Sequence, residues 1–263
     1  MVRFSVYKDS LIFGLTQVTN YRSEVWLTIV NKFVYLSGII FLWSIIGKSV
    51  NGIAGVTSLI SYFLIANGVQ GLVDAESLRF SRAINNEVKL GGLSAHLLRP
   101  VNPVIFIYSS FLGTRGVVTI MTLILIVVGF VFLPSVVPLQ VLLFVLCVLL
   151  AFVVGFVINL FVGSLSFWTP EASHLQNVFS HIVRVFSGVL IPVSFFSGTA
   201  KTLLLFSPFP VLAYLPSIVM QSKTVTVEML MIFSAAIFWS VLLLPLSFWF
   251  WRKGLKRYEA IGI

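Results

Sequence analysis

The sequence predicts an all-α integral membrane protein with six transmembrane helices. Of its 263 residues, 59% are hydrophobic and only 10% are charged, whereas an ordinary soluble domain carries about 25% charged residues. The mean hydropathy is +1.07, and the apolar residues form runs close to the roughly 20 residues that a helix needs to cross the hydrocarbon. This composition places the chain in a lipid bilayer.

Residues 1–24 are predicted to form an amphipathic helix that lies in the membrane interface. Tyr7, Leu11 and Leu15 recur at steps of four, with Lys8 between them, so the apolar residues share one helical face. A partner-binding helix or a solvated lead-in to the first span would show the same pattern. No short apolar region with a small-residue cleavage site precedes the first span, which is therefore expected to remain in the mature protein.

Six apolar segments are long enough to cross the bilayer. They cover about residues 26–46, 53–73, 117–133, 139–163, 175–196 and 229–251. Lys32 lies near the beginning of the first span, where its ammonium can reach the headgroups. The segment that starts at Val104 is too long for one upright crossing, so we divide it at Arg115. Residues 197–228 are apolar but broken by prolines, which predicts re-entrant helices at the outer surface.

The longest polar segment, residues 74–103, lies between the second and third spans. It holds three acids, four Lys or Arg residues and one histidine. Because apolar runs flank it on both sides, it must lie against one face of the membrane, where another protein can reach it. This segment is the predicted docking site for a partner.

The distribution of basic residues predicts the orientation of the chain. One group lies in the amino-terminal segment, in residues 74–103 and in the carboxy-terminal tail: Arg3, Lys8, Arg22, Arg79, Arg82, Lys89, Arg99, Arg252, Lys253, Lys256 and Arg257. Only Lys48, Lys201 and Lys223 fall on the other side. The positive-inside rule therefore places both termini and residues 74–103 in the cytosol. The predicted location of the protein is the inner or plasma membrane of the cell. The net charge of +9 does not indicate nucleic-acid binding, because the basic residues flank apolar spans instead of forming one patch.

Four polar residues within the spans are candidates for a translocation path. Asn67 and Gln70 share a helical stripe with Asp74, and Asn159 stands in a row of small residues that favours helix packing. Arg184 lies roughly 15 Å along the fifth span, where an arginine that faces lipid costs about 2.5 to 3.5 kcal/mol. It is expected to face protein, a cavity or an anionic ligand, unless the helix begins later and the side chain snorkels. Helix packing is the alternative role of the other three.

Motifs for catalysis or metal binding are absent from the sequence. It has no GxxxxGK[ST], HExxH or GxSxG pattern, so no catalytic residue and no ATP site are predicted in this chain. Glu171 and His174 have the spacing of half a metal motif but lack a second carboxylate, and Cys147 is expected to pack. All eight acids lie outside or at the ends of the spans, unlike the acids of an ion-driven carrier.

Several stretches resemble the permease subunit of type-2 ATP-binding-cassette exporters, in particular a bacterial branch with six spans. They are YRSEV, KLGGLSAHLLRPVNP, LSFWTPEA, FSGVLIP, SPFPVLAYLPS and RKGLKRYEAIGI. The resemblance implies that two such permeases, identical or related, pair in the membrane above two separate cytosolic ATPase subunits, which bind the ATP and magnesium. It does not identify the exported substrate.

The same resemblance implies a role for each segment outside the spans. Residues 74–103 would carry the coupling helix that the ATPase receives, residues 1–24 would be the interfacial connecting helix, and residues 197–228 the outer re-entrant helices. The expected ATPase contacts are Asp74, Glu76, Arg79, Arg82, Glu87 and Lys89. The leading hypothesis is therefore the membrane-spanning half of an ATP-driven exporter, without ATPase activity of its own. The alternatives are a secondary, ion-coupled carrier and a membrane anchor that transports nothing.

Overall fold

The computed structural model of the chain describes residues 6–12, 22–49, 56–75, 77–169 and 171–258, and within these ranges it contains helices and turns but no β-strand. A short helix, α1, covers 6–12. The other helices are α2 (Arg22–Ser49), α3 (Val56–Leu72), α4 (Arg79–Lys89), α5 (Leu93–Leu97), α6 (Pro103–Thr114), α7 (Gly116–Val131), α8 (Pro138–Ser164), α9 (Ala172–Phe186), α10 (Gly198–Leu205), α11 (Tyr214–Gln221) and α12 (Val227–Leu255).

Three of the described helical segments are long and apolar enough to cross a membrane, namely Trp26–Ile45, Pro138–Phe167 and Val227–Leu255. Helices α6 and α7 meet at a bend of 66° and form a fourth if the pair counts as one span. The bend falls at Arg115, where we divided this segment. The predicted all-helical membrane protein is thus confirmed, and the number of six crossings stays a prediction.

Helix α3 forms the centre of the fold, and its residues from Ser61 to Gly71 are all buried. Its glycines allow α7 to approach closely. A Cβ atom added to Gly68 would lie 2.6 Å from the Cγ1 of Ile126, and one added to Gly71 would lie 2.6 Å from the Cγ2 of Thr122. Helix α3 is therefore in backbone-level contact with α7.

The row of small residues in α8 serves the same purpose for the segment that follows α3. A Cβ atom added to Gly155 would lie 2.8 Å from the backbone oxygen of Val73, and one added to Gly163 would lie 2.8 Å from the Cδ1 of Ile84 in α4. Helix α8 also packs against α12. The small residues thus bring α8 onto the turn between α3 and α4.

Helix α2 lies at the periphery, with large apolar side chains such as Trp26, Phe33 and Val34 exposed. Its carboxy-terminal half is fixed by Trp43, whose Nε1 donates a hydrogen bond to the backbone oxygen of Leu190 at 3.0 Å. The Trp43 ring also packs 4.5 Å from the ring of Phe195, centroid to centroid. This contact holds one end of α2 against the rest of the molecule.

Helix α9 ends at Phe186, earlier than the predicted end of the fifth span at residue 196. Gly188 has a φ of +89°, a left-handed conformation that glycine adopts without strain and that commonly ends a helix. Its carbonyl accepts a hydrogen bond from the hydroxyl of Tyr62 at 2.7 Å. Pro192, which cannot donate a backbone hydrogen bond, follows.

The segment 197–228 contains the short helices α10 and α11, and most residues between Pro210 and Met220 are buried. Glu228 ties this segment to α12 by accepting hydrogen bonds from Lys201 Nζ at 2.8 Å and from the Tyr214 hydroxyl at 2.7 Å. Other parts of the protein thus cover this irregular apolar segment, as its backbone polar groups require at membrane depth. Its re-entrant role stays a prediction.

The first and last described segments meet α5 and α6 at one end of the molecule. The backbone N–H of Asn102 donates to the hydroxyl of Tyr7 at 3.2 Å, and the hydroxyls of Ser94 and Tyr258 lie 3.1 Å apart. The basic residues at the end of α12 are therefore on the same side as α4. Residues 1–5 and 13–21 of the predicted interfacial helix lie outside the described residues.

Candidate functional site

A cluster of polar side chains joins α2, α3 and the end of α9. Asn67 and Gln70 of α3 are fully buried. The Nζ of Lys32 donates to the Oδ1 of Asn67 at 3.2 Å, and the Nε2 of Gln70 donates to the Oγ of Ser187 at 2.8 Å. The predicted polar stripe of α3 therefore contacts protein, as polar groups in hydrocarbon must.

Arg184 reaches this cluster through an aromatic ring. Its guanidinium carbon lies 5.2 Å from the ring centroid of Tyr35, and the Nζ of Lys32 lies 5.3 Å from the same centroid. Both distances are within the range of cation–π attraction. Three of the four predicted translocation-path residues, Asn67, Gln70 and Arg184, thus meet in one region.

The fourth, Asn159, lies apart and connects α8 to the turn before α4. Its Nδ2 donates to the backbone oxygens of Asp74 at 3.1 Å and Gly155 at 3.0 Å. Its Oδ1 accepts the backbone N–H of Ser81 at 3.1 Å. These contacts are those of helix packing, the alternative that we gave for Asn159, and a role in translocation stays a prediction.

Asp74 and Arg115 form a buried ion pair where α3 ends and α7 begins. The Nη1 of Arg115 lies 3.7 Å from the Oδ1 of Asp74, and the guanidinium also donates to the carbonyls of Gly71 and Leu72. Asp74 Oδ2 accepts the backbone N–H of Phe80 at 2.9 Å. Burial raises the pKa of the Asp74 carboxyl above its usual range, and Arg115 and the Phe80 N–H oppose that rise. Arg115 therefore adds donors to carbonyl groups in the last turn of α3, where intrahelical partners are missing; the Gly71 carbonyl also accepts the backbone N–H of Asp74 at 3.3 Å.

A cavity of about 340 Å³ opens beside this pair. It lies between α2 and α7, next to the carboxy-terminal end of α3. Lys32, Arg79 and Arg115 reach it, and Asp74 is the one acid among its described lining residues. None of the four predicted path residues lines it, although Asn67 holds Lys32 in place. We did not predict this site, because a lysine near the beginning of the first span indicates only a side chain that reaches the headgroups.

The predicted partner-docking segment contains α4, a helix that lies on the surface of the molecule with one side packed against it. Phe80 and Ile84 of α4 are buried, whereas Arg79, Arg82 and Lys89 are exposed along the opposite face. The backbone oxygen of Ser81 also accepts a hydrogen bond from Gln176 of α9 at 3.1 Å. Helix α4 is therefore fixed on its inner side and accessible on its outer side.

The remaining predicted contacts differ from one another in accessibility. Asp74 is buried, and Glu87 lies with its Oε2 3.1 Å from the Nε2 of His96. Glu76 lies outside the described residues. Three leucines that we did not predict project from the same end, namely Leu90, Leu97 and Leu98, with 79% of Leu90 and 88% of Leu98 exposed.

The described residues contain no group of three or more His, Cys, Asp or Glu side chains arranged to hold a metal ion. Cys147 is a buried thiol within α8.

Long apolar helices with buried polar contacts between them and a basic helix at one end are the features of a multi-pass membrane protein. A family model described as ABC-2 family transporter protein matches residues 33–262. The chain belongs to this family and is a permease component of an ABC transporter, which confirms the resemblance noted in the sequence. Membership also implies association with ABC ATPase subunits. Comparison with curated proteins gives no match.

Proposed function

We propose that this chain is the membrane-spanning subunit of an ATP-driven exporter. It forms the translocation path with a second permease and is powered by two separate cytosolic ATPase subunits, which bind ATP and magnesium. The observation that carries the proposal is the outer face of α4 and α5, a basic and partly apolar surface at the end of the molecule where the first and last described segments also meet.

The orientation follows from the charges at that end. Arg79, Arg82 and Lys89 are exposed there, and the basic end of α12 is joined to it through the contact between Ser94 and Tyr258. The positive-inside rule supports a cytosolic location for a surface of this charge. Six crossings, with both termini in the cytosol, are consistent with this arrangement.

The surface has the composition of a protein interface. It combines exposed leucines with exposed arginine and lysine side chains, and protein interfaces combine apolar and polar residues in this way. Leu98 is 88% exposed in a part of the molecule that we place in water, and a large apolar side chain in such a position is typical of a binding surface. We expect these leucines to enter a groove of the ATPase.

The inner side of α4 offers a route for mechanical coupling. Ser81 is hydrogen-bonded to Asn159 of α8 and to Gln176 of α9, and Asp74 joins the preceding turn to Arg115 at the start of α7. A displacement of α4 by the ATPase would therefore act on α8 and α9 through direct hydrogen bonds and on α7 through Asp74, which accepts the backbone N–H of Phe80 and pairs with Arg115.

Co-purification with the cognate ATPase tests the docking surface. We expect the double variant Arg82→Glu, Lys89→Glu to bind the ATPase at least about tenfold more weakly. The variant places acids opposite an ATPase surface that is expected to be complementary to positive charge. Neither residue lines the cavity beside α2. The matched control is Lys223→Glu, which reverses one exposed charge after α11. ATPase recovery equal to wild type in the double variant would refute the placement.

Labelling with a maleimide that cannot cross membranes tests the orientation. Cys147 is the single cysteine and is buried, so a Cys147→Ala background is free of accessible thiols. In intact cells, Lys223→Cys should react from outside, and Lys89→Cys should react only after the membrane is permeabilised. The reverse pattern would place α4 outside the cell and exclude an ATPase contact there.

A further inference from the structure

We propose that one face of the carboxy-terminal half of α12 binds an anionic phospholipid. The acyl chains lie along Leu242 and Leu246. The phosphate headgroup lies at Lys253 and Lys256. This site does not depend on the exporter proposal, because it requires only that α12, which is long and apolar enough to span a membrane, lies in the bilayer.

Exposed side chains form a continuous stripe along this face of α12, namely Leu242, Leu246, Trp249, Lys253 and Lys256. They follow one another at steps of four, three, four and three residues, so they lie above one another on the helix. Lys256 follows the last residue of α12 but keeps helical dihedral angles, with a φ of −68° and a ψ of −20°. The α12 stripe is therefore apolar over its first part and cationic at its end.

The opposite face of α12 is packed against the rest of the protein. Ser247, Trp251 and Gly254 are buried, and a Cβ atom added to Gly254 would collide with the ring of Phe167. The Trp251 ring also packs against the Phe167 ring, with 5.1 Å between the centroids. These contacts fix the rotation of α12, so its stripe is held on the outside of the molecule.

The end of the stripe carries an excess of positive charge. Arg252 and Arg257 flank the two lysines, and all four basic side chains are exposed. None of the four forms an ion pair with another described residue. Glu259 is the one acid in residues 252–263, and four cations less this acid leave three positive charges. Four or more basic residues directly beside a membrane helix attract anionic lipid headgroups.

The length of the stripe matches one leaflet of a bilayer. Leu242 lies eleven residues before Lys253, or roughly 16 Å along the helix, which is about half of the roughly 30 Å of hydrocarbon. Trp249 lies between the apolar and cationic parts and is 55% exposed, and tryptophan is enriched at the headgroup level. The Nζ of Lys253 lies 5.1 Å from the Trp249 ring centroid, within the range of cation–π attraction. The ring thus places an ammonium group where a phosphate would lie.

Binding of fluorescently labelled phosphatidylglycerol to the purified full chain in neutral detergent tests the site. We expect the double variant Lys253→Gln, Lys256→Gln to bind about 30-fold more weakly, since each basic residue near an anionic lipid is worth about a fivefold change in affinity. The charge-matched control is Lys89→Gln, Lys223→Gln, which removes two exposed cations elsewhere and should change the affinity by less than about twofold. Equal losses in the two double variants would overturn the proposal.

A charge-conserving variant separates lipid binding from an effect on folding. Lys253→Arg, Lys256→Arg should bind the lipid like the wild type, because a phosphate accepts hydrogen bonds from either side chain. Cations at the end of a helix also stabilise it through the helix dipole, so the melting temperature of each variant is measured as well. A lower melting temperature with unchanged lipid affinity in the glutamine variant would assign the lysines to that role and refute the site.

Two competitors define the ligand class. Phosphatidylcholine, which has no net charge, should compete much more weakly than unlabelled phosphatidylglycerol, and equal competition would contradict a cationic site. Inorganic phosphate should also compete weakly, because it cannot use the apolar part of the stripe. Competition by phosphate as effective as that by the lipid would indicate a site for a free anion and refute a phospholipid.

Photolabelling in vesicles tests whether lipid covers this face. Phosphatidylglycerol with a photoreactive acyl chain should label peptides that contain residues 242–256 of the wild type more strongly than phosphatidylcholine with the same chain. A segment without label would mean that another protein, such as a second permease, covers the stripe, and would overturn the proposal.

Co-purification with the ATPase separates this site from a protein contact. Weaker recovery of the ATPase with Lys253→Gln, Lys256→Gln, together with unchanged binding of phosphatidylglycerol, would assign the stripe to the ATPase instead of the lipid. Failure of the wild-type chain to recruit an ATPase would refute the exporter proposal and leave the lipid-binding result unaffected.

Discussion

Helices α2 and α3 are neighbouring, largely apolar helices that differ in how closely they are packed. Phe63 of α3 has no exposed surface, whereas Phe33 of α2 is 71% exposed. A Cβ atom at Gly68 of α3 would collide with α7, whereas one at Gly38 of α2 would meet nothing within 4 Å. Hydropathy alone cannot distinguish a helix that is buried in the protein from one that is exposed at its periphery, because lipid and the protein interior are similarly apolar.

The difference explains where the cavity forms. Helix α3 packs closely against α7 at Gly68 and Gly71, whereas the amino-terminal half of α2 leaves an opening in which Lys32 and Tyr35 lie. Thr28, Asn31, Lys32 and Tyr35 of α2 line this opening. The close packing of α3 and the looser packing of α2 therefore produce the cavity.

The largest contrast is expected for two phenylalanine truncations. Phe63→Ala should lower the free energy of unfolding by about 3 to 5 kcal/mol, since it leaves a cavity in the packed core. Phe33→Ala should change it by less than about 0.5 kcal/mol, as surface changes usually do. Denaturant titration in detergent micelles measures both. Similar losses for the two variants would show that α2 is packed as firmly as α3.

A second contrast uses the glycines. Gly68→Ala should cost about 1 to 3 kcal/mol, because its Cβ would lie 2.9 Å from the backbone oxygen of Thr122, which only a shift of α7 can relieve. Gly38→Ala should be neutral or stabilise slightly, because alanine favours the helix. The same titration, with the melting temperature as a second readout, compares them. A tolerated Gly68→Ala would contradict the close approach of α3 and α7.

The smallest contrast concerns single hydroxyl groups. Ser187→Ala removes the acceptor of the Gln70 amide and should cost about 1 kcal/mol, because a buried donor loses its partner. Ser44→Ala removes a hydroxyl that donates to the backbone oxygen of Phe41 in its own helix, and its effect should be close to zero. Equal values would mean that the link between α3 and α9 contributes nothing to stability.

Much of the helical layout could be predicted from the sequence. The long apolar runs indicate membrane helices, and Arg115 between Thr114 and Gly116 marks the break that the bend between α6 and α7 shows. The polar composition of residues 74–103 likewise predicts a segment that a partner can reach, and the exposed face of α4 lies there. These signals are local, and they depend on neighbours in the chain alone.

The cavity could not be predicted in this way because its walls come from distant parts of the chain. Lys32 in isolation indicates a side chain that reaches the headgroups, and only the packing of α2 and α7 on α3 brings it near Arg79 and Arg115. The end of α9 depended on the left-handed conformation of Gly188 and its bond to Tyr62. Such features depend on tertiary contacts, which cannot be predicted from the spacing of residues along a single sequence.

The anchorage of Trp43 to Leu190 and Phe195 has a geometric consequence for the cavity. Lys32 lies eleven positions before Trp43 on the same helix, which corresponds to a lever arm of roughly 16 Å. Pivoting α2 by about 10° at the tryptophan would carry the ammonium group roughly 3 Å at that arm length. A small rotation at a well-packed aromatic contact is thus converted into a displacement about as long as the hydrogen bond between Lys32 and Asn67.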